Sequence, residues 1–202
     1  MSSRAEGIYD VDNANELDIL QPKGDLMNRT SLHDKEALVA AIEMEERGYT
    51  FFKNTAGKAE NSFAREVFDF LAGEELRHIE AIRRFQEDYL KGKSDNAEGL
   101  IERIKSGKGV AALEQLFAEL AKSAPATGSD LDAYKFAMDF ELKGEAFYKK
   151  AEAGAKDLNA KKLYGFLVGE ERKHFKIVES CLAYFENPSE FFHQREKWHF
   201  EA

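Results

Sequence analysis

The chain repeats itself once. Glu75-x-x-His78 returns as Glu171-x-x-His174, with both members displaced by 96 residues. The surroundings agree without a gap: Phe70, Leu71, Gly73 and Glu74 correspond to Phe166, Leu167, Gly169 and Glu170. Upstream, Ala41, Glu45, Gly48, Phe51 and Lys53 correspond to Ala137, Glu141, Gly144, Phe147 and Lys149, and Phe52 to Tyr148. Such internal repetition constrains architecture more than any local signal. The unit is two helices long. Its first helix carries a lone glutamate and its second carries Glu-x-x-His. Present only twice, it predicts a duplicated helical hairpin and not a solenoid.

The 202 residues suffice for one domain with a sizeable core. Three prolines, with abundant Ala, Leu, Glu and Lys, favour helix throughout. The expected fold is all-α: a four-helix bundle with a long crossover between helices two and three. Residues 1–30 include Pro22 and Gly24, lack helical periodicity and are expected as an irregular N-terminal arm. The bundle is expected over 31–187, with repeat one over about 32–92, the crossover over 93–129 and repeat two over about 130–186. Ser31 is the expected cap of the first helix and Gly57 its stop. Asn61-Ser62 opens the second, Ser129-Asp130 the third, and Asn187-Pro188 ends the fourth. Within the crossover, Leu100, Ile101 and Ile104 predict a short helix, and Leu113, Leu116, Phe117 and Leu120 a second. The tail 188–202, with Phe191, Phe192, Trp198 and Phe200, is expected to fold back on the bundle.

The net charge of −9 argues against a nucleic-acid partner and against anionic membranes. No stretch reaches the ~20 apolar residues of a membrane span, and the polar start is not a signal peptide. Cys181, the single cysteine, permits neither an intrachain disulfide nor a Cys-x-x-Cys metal site and is expected to be buried. A cytoplasmic location is expected.

Glutamate and histidine three apart project from one helix face, one turn from each other. Four helices around one axis therefore gather Glu45, Glu75, His78, Glu141, Glu171 and His174. Four carboxylates and two imidazoles suit two iron ions, or manganese, better than zinc or calcium. Without metal, converging buried acids repel and are costly to desolvate. Glu74 and Glu170 are expected to face solvent, since neighbours in sequence diverge by ~100° around a helix. Tyr148, two turns from Glu141, is a candidate to hydrogen-bond a ligand carboxylate, against the alternative of a core aromatic. Glu145, one turn from Glu141, is a candidate extra ligand, with an exposed position favoured; Tyr49 holds its place in the first repeat. His193 and His199 in the tail are expected to pack or to lie on the surface.

These residues resemble the rubrerythrin branch of the ferritin-like superfamily over about 32–186. The likeness is carried by Glu45, Glu75-Leu76-Arg77-His78, Glu141 and Glu171-Arg172-Lys173-His174, and by Asn187-Pro188-Ser189-Glu190-Phe191-Phe192 near the end. The resemblance implies a ferritin-like fold and a non-haem di-iron centre that reduces hydrogen peroxide or reacts with dioxygen. Two features depart from the pattern. One cysteine excludes the rubredoxin domain of rubrerythrins proper, so electrons are expected from an external donor such as a rubredoxin. The family's additional glutamate, three residues after the lone glutamate of the third helix, is replaced here by Gly144. A ferritin-type ferroxidase or iron-handling protein and a di-manganese catalase-like site are the alternatives. The arm and the aromatic tail suggest a homodimer.

Overall fold

The computed structural model describes residues 34–93, 97–105, 127–188 and 191. Five helices appear there: α1 (Asp34–Lys58), α2 (Ser62–Leu90), α3 (Ala97–Lys105), α4 (Gly128–Gly154) and α5 (Leu158–Glu186). The irregular arm, the Ser31 cap, the second crossover helix, His193 and His199 lie outside the described residues.

The helix boundaries have local causes. Asn61 caps α2, its side chain accepting from the Ala64 amide at 2.9 Å. Asp157, its counterpart in the repeat, caps α5 by accepting from the amides of Asn159 and Ala160. Gly92 ends α2 at φ 69°, a left-handed conformation that glycine adopts without penalty. The cap of α4 is Thr127 and not Ser129. Thr127 and Asp130 form a reciprocal capping box, which starts the helix earlier than Ser129-Asp130 suggests. Gly57 does not stop α1, which runs on to Lys58.

α1 packs along α2 and α4 along α5, so each repeat is a hairpin, and α1 and α4 meet across the seam. The core forms two apolar clusters. One holds Phe52, Phe63, Phe68, Leu71, Tyr134, Phe140, Val178 and Cys181; the other holds Leu38, Ile82, Phe85, Phe147, Tyr148, Leu163, Tyr164 and Leu167. Each fully buried Leu or Phe contributes ~1.5–3 kcal/mol, so these clusters dominate the bundle's stability. α1 runs from the second cluster to the first and α2 returns. α4 then starts at the first cluster, so α2 and α4 are parallel and the chain between them must traverse the length of the bundle. This is the crossover expected from the sequence, and the ferritin-like helical bundle it implies. Part of it, α3, places Ala97 and Leu100 on the second cluster and packs on α2 and α5.

Asp34, at the first turn of α1, is buried and accepts from the amides of Lys156 and Asp157 at 3.1 and 3.0 Å. It thereby fastens one hairpin to the turn of the other. No helix among the described residues is long and apolar enough to cross a membrane.

Candidate metal centre

Between the two apolar clusters every long helix turns polar inward. Glu45 comes from α1, Glu75 and His78 from α2, Glu141 from α4, and Glu171 and His174 from α5. None of the six is more than 2% exposed. The structure thus brings together all six residues selected by the repeat.

Their geometry obeys the two-fold relation of the sequence. His78 Nδ1 lies 3.3 Å from Glu45 Oε2 and 4.0 Å from Glu171 Oε1. His174 Nδ1 lies 3.6 Å from Glu141 Oε2 and 3.3 Å from Glu75 Oε1. Each imidazole therefore meets the lone glutamate of its own hairpin and the motif glutamate of the opposite one. The two rings stack with centroids 5.4 Å apart. Two sets of donors have atoms within 4.8 Å of one another: Glu75, Glu141, Glu171 and His174, and Glu45, His78 and Glu171. Glu171 belongs to both.

Glycine makes room for the carboxylates of the two Glu-x-x-His motifs. A Cβ at Gly144 would stand 2.6 Å from Glu171 Oε2, and one at Gly48 would stand 2.9 Å from Glu75 Oε2. A glycine inside a helix costs roughly 1 kcal/mol relative to alanine, so two of them at matched positions call for a reason. The close approach of the carboxylates is that reason, and nothing in the sequence alone disclosed it.

The electrostatics are those of a site built for positive charge. Burial pushes the Glu75 and Glu171 carboxyls well above the usual carboxylate range, and repulsion from Glu45 adds to it. Burial, together with repulsion from Glu45 and against a lowering influence of the neighbouring Glu171 carboxyl, raises Glu141 to about 8. Glu45 goes the other way. Burial opposes its charge, but His78 and hydrogen bonds with Glu75, His78 and Tyr148 hold it at about 2. Burial likewise disfavours a charged His78, yet Glu45 raises it above the ordinary imidazole; His174, buried beside His78, falls to about 3. On its own the cluster balances itself with protons.

Hydrogen bonding tells the same story. Among the described residues, ten buried side-chain nitrogen and oxygen atoms have no hydrogen-bond partner, and seven belong to this cluster: Glu75 Oε1, His78 Nε2, both Glu141 oxygens, Glu171 Oε1 and both His174 nitrogens. Each unsatisfied buried polar group costs ~1–3 kcal/mol, so this concentration is not a stability device. The donor set fits dications: oxygen-rich with two imidazoles, and several lone pairs directed at no protein partner.

The remaining candidates fall in different places. Tyr148 is buried, and its hydroxyl donates to Glu45 Oε1 across the hairpins. Burial, then the nearby Glu45 charge, pushes this phenol well above its ordinary range. Glu145 is in neither donor set. It accepts from Arg172 Nε at 3.1 Å and pairs with Lys149 at 2.7 Å. Nor is it exposed as expected: at 9% exposure it lies under those two cationic side chains. Glu74 and Glu170 also depart from the expectation of solvent-facing residues, being 5% and 8% exposed. Glu74 pairs with Arg77, Glu170 pairs with Lys173, and Arg77 of α2 feels the Glu170 carboxylate of α5. Helices covered by neighbours on more than one side bury positions that divergence from the ligand face alone would place in water. Cys181 is buried, as expected.

A family model described as Rubrerythrin matches residues 36–182, a span that contains all six residues of the cluster. None of the curated proteins and none of the solved structures matches the chain.

Proposed function

The chain belongs to the rubrerythrin family, and from that premise we propose that it is a di-iron oxidoreductase that reduces hydrogen peroxide, drawing electrons from a separate donor. The observation that carries the reading is the buried cluster of four glutamates and two histidines in which Glu171 is common to both donor sets. Glu45, His78 and Glu171 would hold one metal, and Glu75, Glu141, Glu171 and His174 the other. Iron is preferred to zinc, which takes closed four-coordinate sites, and to calcium, which avoids imidazole; manganese is the nearest substitute.

When bound, two iron(II) ions supply Lewis acidity and one electron each, which with two protons suffices to convert one peroxide to two waters. The chain does the rest. Tyr148 fixes Glu45 by donating to Oε1. Gly48 and Gly144 let Glu75 and Glu171 approach the axis of the bundle. The two apolar clusters close the site above and below and exclude water, strengthening each electrostatic contact inside. Metal entry displaces protons from Glu75, Glu141 and Glu171, so affinity rises with pH.

With one cysteine the chain has no Cys-x-x-Cys iron site of its own, which supports an external one-electron donor such as a rubredoxin. A reducing cytoplasm and a homodimer complete the proposal; size-exclusion chromatography with light scattering distinguishes the dimer from a storage shell. The activity test is anaerobic. Protein loaded with two iron(II) ions per chain should be oxidised by one equivalent of peroxide, far faster than by dioxygen. Preference for dioxygen with progressive build-up of ferric iron would favour the ferroxidase. Continued dismutation without a donor would favour a di-manganese catalase-like site. An inert iron-loaded protein would remove the enzyme reading.

A further inference from the structure

The repeat equates Phe52 with Tyr148 and Phe68 with Tyr164. The rings pack alike in the two halves: Phe52 and Phe68 stack at 6.3 Å and 18°, Tyr148 and Tyr164 at 6.2 Å and 28°. The same aromatic pair therefore carries hydroxyls in one half only, and the Tyr148 hydroxyl donates to Glu45 Oε1. Phe52 has no hydroxyl to give Glu141, and neither Glu141 oxygen has a hydrogen-bond partner.

The consequence concerns the metals and rests on the metal-centre reading above. We infer that the two metal positions are unequal: the Glu141–His174 position fills first and holds its ion more tightly, and Tyr148 sets the difference by occupying one oxygen of Glu45. Three observations converge. The Glu141 position draws on four side chains, and the Glu45 position on three. Neither Glu141 oxygen makes a hydrogen bond, whereas Glu45 Oε1 accepts from Tyr148 and Glu45 Oε2 is hydrogen-bonded to His78 Nδ1 at 3.3 Å. Neither His174 ring nitrogen makes a hydrogen bond, although Nδ1 lies 3.3 Å from Glu75 Oε1 and 3.6 Å from Glu141 Oε2, whereas a metal beside Glu45 must displace the hydrogen bonds already made by Tyr148 and His78. Tyr148 is thus a positioning residue acting through Glu45. A two-electron reduction needs both ions, so the weaker position sets the iron concentration at which the protein becomes active.

The test uses cobalt(II) as the probe, titrated into metal-free protein and followed by calorimetry and by its d–d absorption. Wild type should bind two ions with affinities at least about tenfold apart, the factor that competition with one hydrogen bond to a charged carboxylate can produce. Glu141→Gln should remove the tighter phase and Glu45→Gln the weaker one. Tyr148→Phe, which keeps the ring, should tighten the weaker phase and narrow the gap, with the melting temperature of the metal-free protein as a check on folding. Two equal affinities, the opposite assignment of phases, or a wider gap in Tyr148→Phe would overturn the inference. Failure to bind any cobalt would instead overturn the metal-centre reading itself.

Discussion

The α1–α2 and α4–α5 hairpins present the same three donors from the same positions, yet they surround them differently. In the first, Phe52 and Phe68 stand where the second has Tyr148 and Tyr164. In the second, Gly144 lies closer to its carboxylate than Gly48 does to its own, and Glu171, not Glu75, joins both donor sets. The hydroxyls of the second hairpin reach across to the first: Tyr148 to Glu45, and Tyr164 to the Asp34 carbonyl at 3.4 Å. Duplication built the cavity, and the differences between the copies give its two ends separate characters.

The largest effect expected from breaking this comparison is at the shared carboxylate. Glu171→Ala leaves the Glu45 position two donors and the Glu141 position three, so it should weaken both and leave at most one ion per chain, whereas Glu75→Ala should weaken the Glu141 position alone and leave the Glu45–His78–Glu171 position intact; metal analysis after gel filtration reads the difference. Equal loss in both variants would show the two motif glutamates to be equivalent.

The glycines come next. Gly144→Ala drives a Cβ against the flexible end of Glu171, so the fold should tolerate it and gain up to ~1 kcal/mol of helix propensity, while metal affinity falls by about tenfold or more. Gly48→Ala meets Glu75 and also the Phe140 ring at 2.9 Å, so it should lower the melting temperature as well. A variant pair with unchanged metal affinity would remove the cradle argument.

A pH series sharpens the comparison between metal-free and loaded protein. Glu141, raised to about 8, holds its proton in the folded state but not in the unfolded chain above the ordinary 4.5. Glu75, Glu171 and His78 are shifted in the same direction. The folded state thus binds more protons, and metal-free stability should fall as pH rises from about 6.5 through 8. The depressed His174 opposes this only below 6.5, where the unfolded imidazole takes up its proton. Loaded protein should show the reverse trend, because the carboxylates must ionise to bind metal. Denaturant melts at pH 6.5 and 8, with and without cobalt(II), measure both slopes.

The smallest contrast is between the caps. Asp157→Ala frees two amides and Asn61→Ala one, so each should cost ~1 kcal/mol, Asp157 the more, a drop of about 2–4 °C in melting temperature for a chain of this size.

Much of this centre is legible in the sequence because ligands on helices keep fixed spacing. Glu45 and Glu141 carry no motif of their own, and the ungapped offset alone ties them to the Glu-x-x-His pairs. The four long helices follow from periodicity and punctuation. What escaped the sequence depends on neighbours in space. Thr127 caps α4 because Asp130 returns its hydrogen bond, a choice that adjacent candidates conceal. Glu74, Glu170 and Glu145 are covered by Arg77, Lys173, Arg172 and Lys149, partners whose reach depends on rotamer and not on order along the chain. The glycine cradles are visible only once the carboxylates occupy the space a methyl group would fill.

The central claim, that six buried side chains hold a pair of metals sharing Glu171, is tested most directly by counting metal. Protein incubated anaerobically with excess iron(II), desalted and analysed by mass spectrometry for iron per chain should carry two ions in wild type and at most one in Glu171→Ala. Wild type with none, or a Glu171→Ala variant that still retains two, would contradict it.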